Sequence, residues 1–117
     1  MKVGINFVDN ILIISLPHTY GVITISEIMN LVETNELKNT QNTVIDCSEL
    51  EILDSFGGEV FLLKKNYNMK YFLFCGVKSV VEPILNVFSQ DFFQEDIVNF
   101  PTQKDAIDFI KKNNTIT

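Results

Sequence analysis

The chain reads as an α/β domain built on a mixed β-sheet, and three observations carry that reading. Apolar residues alternate with small or polar ones at the amino terminus, then recur at helical spacing in four later stretches. Two strand-like segments, Ile11–Leu16 and Tyr71–Cys75, are apolar at nearly every position, as strands covered on both faces are. A turn signal, Asp9-Asn10, joins the first two strand patterns directly, and strand–helix alternation begins only after them. A hairpin followed by βα units implies antiparallel pairing at one end of the sheet and parallel pairing in the rest. The expected order is ββαβαβαβα, a single domain over residues 1–117 with its helices packed against the sheet.

Taken in order, Val3, Ile5 and Phe7 alternate with Lys2, Gly4 and Asn6, so the first strand should bury one face. Ile11 to Leu16 returns from the turn and is stopped by Pro17. Residues Pro17-His18-Thr19-Tyr20-Gly21 are expected to form a loop. Its lone histidine reads as a solvated or hydrogen-bonded side chain, since no second His and no Cys accompanies it. Thr24-x-x-Glu27 has the form of a capping box. Ile25, Ile28, Met29 and Val32 then make the stripe of a first helix running to about Leu37.

Asn39 to Asn42 is a polar connection into a third strand, Thr43–Cys47. Ser48, Glu49 and Glu51 interrupt the apolar run, and Leu50, Ile52 and Leu53 are expected to return to the core. Asp54-Ser55 stands directly before a helical pattern, with Phe56, Val60, Leu63 and Tyr67 at i, i+4, i+7 and i+11 and an end near Asn66. Asn68-Met69-Lys70 turns the chain into the Tyr71–Cys75 strand, which Gly76 ends. Ser79-x-x-Glu82 offers a cap for the third helix, whereas Pro83 disfavours the α region at Glu82 and is itself a favoured first residue. With either start, Ile84, Leu85 and Phe88 form its buried stripe. Ile97–Phe100 reads as a short edge strand ended by Pro101. Thr102-x-x-Asp105 opens the last helix, with Ala106, Ile107 and Ile110 inward and Lys111-Lys112 near its negative end. Residues 113–117 should fray.

Composition narrows the function classes. A chain 46% hydrophobic and 21% charged is globular rather than disordered. The net charge of −6 argues against nucleic acid or an anionic membrane as partner, since both call for basic patches. Cys47 and Cys75 have no Cys or His neighbour at metal-ligand spacing and read as buried structural thiols in a reducing compartment. No signal-peptide pattern precedes the first strand, and no apolar run approaches the length of a membrane span. A cytoplasmic protein without membrane insertion is expected, with no cofactor or metal of its own. Nor is it expected to be an enzyme: no paired carboxylates in a polar cleft, nucleophile–base set, P-loop or dinucleotide glycine motif is evident.

The stretch Val44–Val60 carries the chemistry. A strand, a loop holding Asp54-Ser55 and a helix starting at Ser55 would set a hydroxyl at the positive end of a helix. A phosphate there would add about −1.5 to −2 charges and three acceptor oxygens. Gly57 and Gly58 follow, leaving backbone N–H groups open to close approach. Asp and Ser are equally the favoured residues of a plain helix cap, worth about 1 kcal/mol over Ala, and the local pattern does not separate the two readings.

The element order, with Val-Ile-Asp-Cys-Ser-x-Leu-x-Ile-Leu-Asp-Ser-Phe at its centre, resembles the STAS domain, the family of anti-sigma factor antagonists and sulfate-transporter tails. The topology resembles that family over essentially the whole chain; the sequence-specific part is Val44–Val60. The Asp-Ser-Phe form is similar to the stressosome antagonists of the family. The resemblance implies that Ser55, directly after Asp54, is a phosphoacceptor for a partner serine kinase. It also implies a partner-facing surface formed by Asp54, Phe56, Gly57, Gly58 and Glu59 together with His18, Thr19 and Tyr20. ATP and Mg²⁺ would belong to that kinase. The chain departs from the family pattern in two places. The loop after the second strand, Pro17–Gly21, lacks the usual carboxylate, and the helix opens Phe56-Gly57-Gly58-Glu59 rather than with Gly-Leu-Gly.

The leading expectation is a protein-interaction switch that binds a serine kinase or anti-sigma-type regulator and is weakened by phosphorylation at Ser55. The alternative is a constitutive scaffold or subunit of a stressosome-like or transporter-ATPase complex, and self-association is compatible with both. A receiver-type role for Asp46 as phosphoacceptor fits poorly, because the chain opens with a hairpin and offers only Asp9-Asn10 between its first strands.

Overall fold

The computed structural model describes residues 3–34, 42–53, 57–67 and 69–114, with the side chains or exposure of 22–24, 34, 57–58 and 114 outside that description. Its strands are β1 (Gly4–Val8), β2 (Ile11–Ser15), β3 (Thr19–Tyr20), β4 (Asn42–Asp46), β5 (Ile52–Leu53), β6 (Tyr71–Cys75) and β7 (Asn99–Phe100). The helices are α1 (Val22–Thr34), α2 (Phe61–Tyr67), α3 (Glu82–Phe93) and α4 (Gln103–Asn114), and a 3₁₀ turn at Gly57–Val60 leads into α2.

The hairpin forms where the turn signal places it. Val8 pairs with Ile11, and Asp9 and Asn10 between them take φ of 50° and 67°. That is the mirror-image two-residue turn whose twist matches paired strands, and Asn and Asp tolerate it better than most residues. β4 joins β2 in parallel, β6 joins β4, and β7 joins β6, giving a five-stranded mixed sheet in the order β1-β2-β4-β6-β7. The outer edge of β1 is partly capped: Val3 N–H donates to Glu27 Oε1 (2.7 Å) and Phe7 N–H to Asn6 Oδ1 (2.9 Å). Side-chain caps of this kind discourage edge-to-edge pairing.

Strand periodicity sorts the core into two layers. Leu12, Ile14, Ile45, Phe72 and Phe74 face Ile28 and Val32 of α1, Phe61 and Leu63 of α2, and Leu85 of α3. Ile11, Ile13, Val44, Leu73 and Cys75 face the other way, onto Ala106 and Ile110 of α4. Three helices therefore cover one face of the sheet and one covers the other, which is why β2, β4 and β6 need apolar residues at consecutive positions. The last helix is capped as its sequence suggests, with Asp105 N–H donating to Thr102 Oγ1 (3.2 Å). Its far end is tied to the hairpin by the Lys111–Asp9 ion pair.

Several boundaries and exposures differ from expectation. Thr19-Tyr20 is a strand, not loop, because it finds a partner in Ile52-Leu53. Ile52 is 50% exposed on that ribbon rather than in the core, and Phe7 is exposed on the edge strand. Ile84 is also exposed, whereas Leu85 and Ser89 of α3 are buried and Phe88 packs partly buried against the core. α1 starts at Val22, two residues before the capping-box Thr24, whose side chain is outside the described set, as is the expected end near Leu37. β7 holds only Asn99 and Phe100 of the predicted Ile97–Phe100 strand. α4 continues to Asn114 where fraying from Asn113 was expected, and residues 115–117 lie outside the description.

The two cysteines are free and buried, Cys47 in the three-helix layer and Cys75 in the α4 layer, so the sheet separates their side chains. Burial pushes the Cys75 thiol from its ordinary 9.0 up to about 12, reinforced by Asp46, and pushes Cys47 higher still. Tyr67 is also held up at about 12, by desolvation and then by donating to Glu33 Oε1. A raised folded-state pKa contributes stability below the unfolded value that is lost as pH climbs through the folded one. Stability should therefore fall between pH 9.0 and about 12 as the thiols ionise on unfolding. In a disulfide-exchange assay at about pH 8, the native chain should react far more slowly than the denatured chain, which should release both thiols at once.

Candidate functional site

Parallel strands β2, β4, β6 and β7 all end at one side of the sheet, so the segments after Ser15, Asp46, Cys75 and Phe100 gather there. Such carboxyl-end edges are where α/β sheets place their binding loops. Asp46 organises the β4–β5 connection. Its Oδ1 accepts Ser48 N–H (2.9 Å) and its Oδ2 accepts Nε2 of Gln103 (3.0 Å) at the start of α4. Both oxygens thus hold the loop in place, which leaves the receiver-type role for Asp46 without support. Leu50 N–H closes a turn onto the Cys47 carbonyl (3.0 Å), and the Leu50 side chain is fully buried. Lys78, after β6, donates to the Ser48 carbonyl (2.6 Å) and lies 3.4 Å from that of Leu50. One cation thereby bridges two carbonyls of the loop.

From this anchored turn the chain leaves as β5 alongside β3, with Thr19 opposite Ile52 and Tyr20 opposite Leu53. The His18 carbonyl accepts both Glu51 N–H (2.9 Å) and Ile52 N–H (3.0 Å). This small parallel ribbon brings the Pro17–Gly21 segment beside the approach to Asp54-Ser55. On its outer surface His18 Nε2 meets Glu51 Oε2 at 2.5 Å, while His18 Nδ1 lies 3.2 Å from Thr19 Oγ1. The segment lacks a carboxylate of its own, and Glu51 brings one to it from the neighbouring strand connection.

The expected partner-facing residues divide on inspection. His18 is exposed and Thr19 half-buried at the ribbon surface. Tyr20 is fully buried in the larger core layer, so the expectation that it faces a partner is corrected: the β3–β5 pairing turns it inward. Gly57 and Gly58 open the 3₁₀ turn and Glu59 is half-buried in it. Asp54, Ser55 and Phe56 lie outside the described residues, between Leu53, which ends β5, and Gly57. The helix expected from Ser55 onward is a 3₁₀ turn from Gly57 and becomes α-helical only at Phe61. From sequence, Lys78 is not singled out, and nothing ties Glu51 or Asp46 to the anchoring of this loop. The polar break at Ser48–Glu51 hinted at the loop, but Lys78 reaches Ser48 across 30 residues and carries no local signal.

Among the described residues no group of three His, Cys, Asp or Glu side chains is placed to hold a metal ion. Nor is any helix among them long and apolar enough to cross a membrane.

No protein-family model and no curated protein sequence matches the chain. Solved structures do. A serine-to-glutamate variant of RsbS from Moorella thermoacetica superposes with a TM-score of 0.74 at 21% identity, covering 99% of this chain and 100% of that one. A chain of the stressosome, a signal integration and transduction hub, superposes at 0.72 and 21% identity, covering 97% and 100%. The anti-sigma factor antagonist SpoIIAA in its unphosphorylated form gives 0.67 at 14% identity, covering 94% and 98%. The mixed sheet with its four helices has the fold of these proteins, the STAS fold.

Proposed function

We propose that this chain, having the STAS fold, is a regulatory protein-interaction module whose partner affinity is set by phosphorylation of Ser55. The observation that carries the reading is the β3–β5 ribbon. It is anchored on its inner side by Tyr20 and Leu50 and ends at Leu53, immediately before Asp54-Ser55. A short ribbon held by buried anchors would let a kinase reach the residues that follow it without disturbing the core. The partner surface would comprise Asp54, Phe56, Gly57, Gly58 and Glu59 with His18, Thr19 and the His18–Glu51 pair. Phosphate beside Asp54 and Glu59 would place about −1.5 to −2 further charges in that surface and oppose binding. A serine kinase or anti-sigma-type regulator is the partner class, and it would supply ATP and Mg²⁺.

The experiment is phosphorylation by the serine kinase of the same organism, comparing wild type with Ser55→Ala, followed by binding of Ser55→Asp to the captured partner. Label should disappear in Ser55→Ala, and Ser55→Asp should bind about tenfold more weakly, a change of roughly 1.4 kcal/mol. Undiminished labelling of Ser55→Ala would remove the site assignment.

A constitutive scaffold of the same fold is favoured by a different observation. Val80, Ile84 and Val87 form an exposed apolar row on the outer side of α3 and the turn before it. Grouped exposed apolar residues mark an interaction surface more often than isolated ones do. In that reading the chain assembles through α3 whatever the state of Ser55, as a subunit of a stressosome-like or transporter-ATPase complex.

A further inference from the structure

At the far edge of the sheet, away from the ribbon, a cavity of about 260 Å³ opens beside β6. It exists because β7 is short. Continuing the register that sets Phe74 opposite Asn99 would pair Tyr71–Leu73 with residues 96–98, yet strand pairing begins only at Asn99. Phe74 N–H reaches the Val98 carbonyl (2.8 Å), and among the described residues no backbone bond joins Phe72 to that segment. The slot between them is walled by Phe61 and Phe93 on one face of the sheet and by Phe109 on the other.

Ser89 lines this slot. It continues the inward stripe of α3 after Val81 and Leu85, at a position where a larger apolar side chain would fill the gap. Ser89 is 3% exposed, and among the described residues its hydroxyl has no hydrogen-bond partner. A serine within a helix can bond back to the carbonyl four residues earlier, but Ser89 makes no such bond. Its hydroxyl opens onto the slot, where a polar atom of a bound molecule can meet it. At the rim, Lys64 is engaged by Glu95 (3.2 Å) and lies over the Phe93 ring (4.4 Å). Asp96 accepts from Gln90 (2.9 Å). Lys70, over the Tyr71 ring at 5.2 Å, has no carboxylate partner among the described residues and is the cation left to meet an anion.

We infer that this cavity binds a small planar aromatic carboxylate, its ring between Phe61, Phe93 and Phe109, a polar atom on the Ser89 hydroxyl and its carboxylate toward Lys70. The size agrees. A cavity of about 150 Å³ holds benzene, so this one has room for a ring with a short acidic arm or for two fused rings. Offset or edge contacts with three phenyl walls favour a flat aromatic over an aliphatic chain.

Titration of isotope-labelled protein with naphthoate, and separately with neutral naphthalenemethanol, tests the site by nuclear magnetic resonance. The amides of Leu73, Ser89, Phe93 and Val98 should shift together and saturably with both probes. Lys70→Gln, an exposed change that should leave folding intact, should weaken naphthoate about three- to tenfold while sparing the neutral probe. Ser89→Leu should fill the slot and abolish the shifts. The inference is overturned if those amides stay unmoved at millimolar naphthoate, if Lys70→Gln treats the two probes alike, or if a folded Ser89→Leu still binds.

Discussion

Phe61→Ala is expected to destabilise the chain by about 3–5 kcal/mol, read as a lower urea midpoint at unchanged slope. Phe61 is 1% exposed and sits among four other rings, with centroids 6.0 Å from Phe72, 5.6 Å from Phe74, 6.0 Å from Phe92 and 6.3 Å from Phe93. It therefore joins α2, β6 and the end of α3 through one side chain. Removing the ring forfeits its transfer free energy and leaves a void that rigid β6 cannot collapse into. Since domains of this size are held by about 5–15 kcal/mol, the variant should melt well below wild type. Phe61→Leu, which leaves a smaller void, should lose less. A loss under about 1 kcal/mol for the alanine variant would show that these rings are not a single packed unit.

That this residue dominates the core is not evident from its spacing. The periodic stripe Phe56, Val60, Leu63, Tyr67 omits it, because the stripe assumes one continuous α-helix. A 3₁₀ turn advances three residues per turn instead of 3.6, so the Gly57–Val60 segment resets the phase and brings Val60, Phe61 and Leu63 all inward. In α3, Leu85 and Ser89 are buried where Ile84 of the expected stripe is exposed. The strands were far more legible. β2 and β6 are apolar at consecutive positions because helices cover both faces of the sheet, and the Asp9-Asn10 turn fixes the hairpin register by itself.

The site was legible only in its outline. In the sequence His18 and the approach to Ser55 are separate stretches, and the structure joins them through a ribbon of two residues per strand. Pairing that short leaves no period to detect, and its energy comes from elsewhere: Tyr20 and Leu50 beneath it, Asp46 and Lys78 behind it. The missing carboxylate of the His18 segment was likewise a local reading. Glu51, from a different stretch, places a carboxylate against His18, a contact that only the three-dimensional pairing reveals.

Gly76→Ala should show how far this loop depends on what lies behind it. Gly76 ends β6 at φ +65°, a conformation that costs any residue with a Cβ. An added Cβ would also stand 3.1 Å from both Cα and Cβ of Ser48 and 3.2 Å from its nitrogen. Those atoms cannot retreat freely. Ser48 N–H is bonded to Asp46 and its carbonyl to Lys78, so the strain passes into the turn that launches β5. The two penalties together should cost about 2–3 kcal/mol of stability. Hydrogen exchange should speed up at Glu51 and Ile52, whose N–H groups hold the ribbon to His18, more than at the central β4 amides. Ser48→Gly in the same chain removes one of the contacts but not the unfavourable φ, so the double variant should recover only part of the loss, a coupling a thermodynamic cycle can measure. Stability within about 0.5 kcal/mol of wild type for Gly76→Ala, with unaltered exchange at Glu51 and Ile52, would mean the ribbon is not propped from the end of β6.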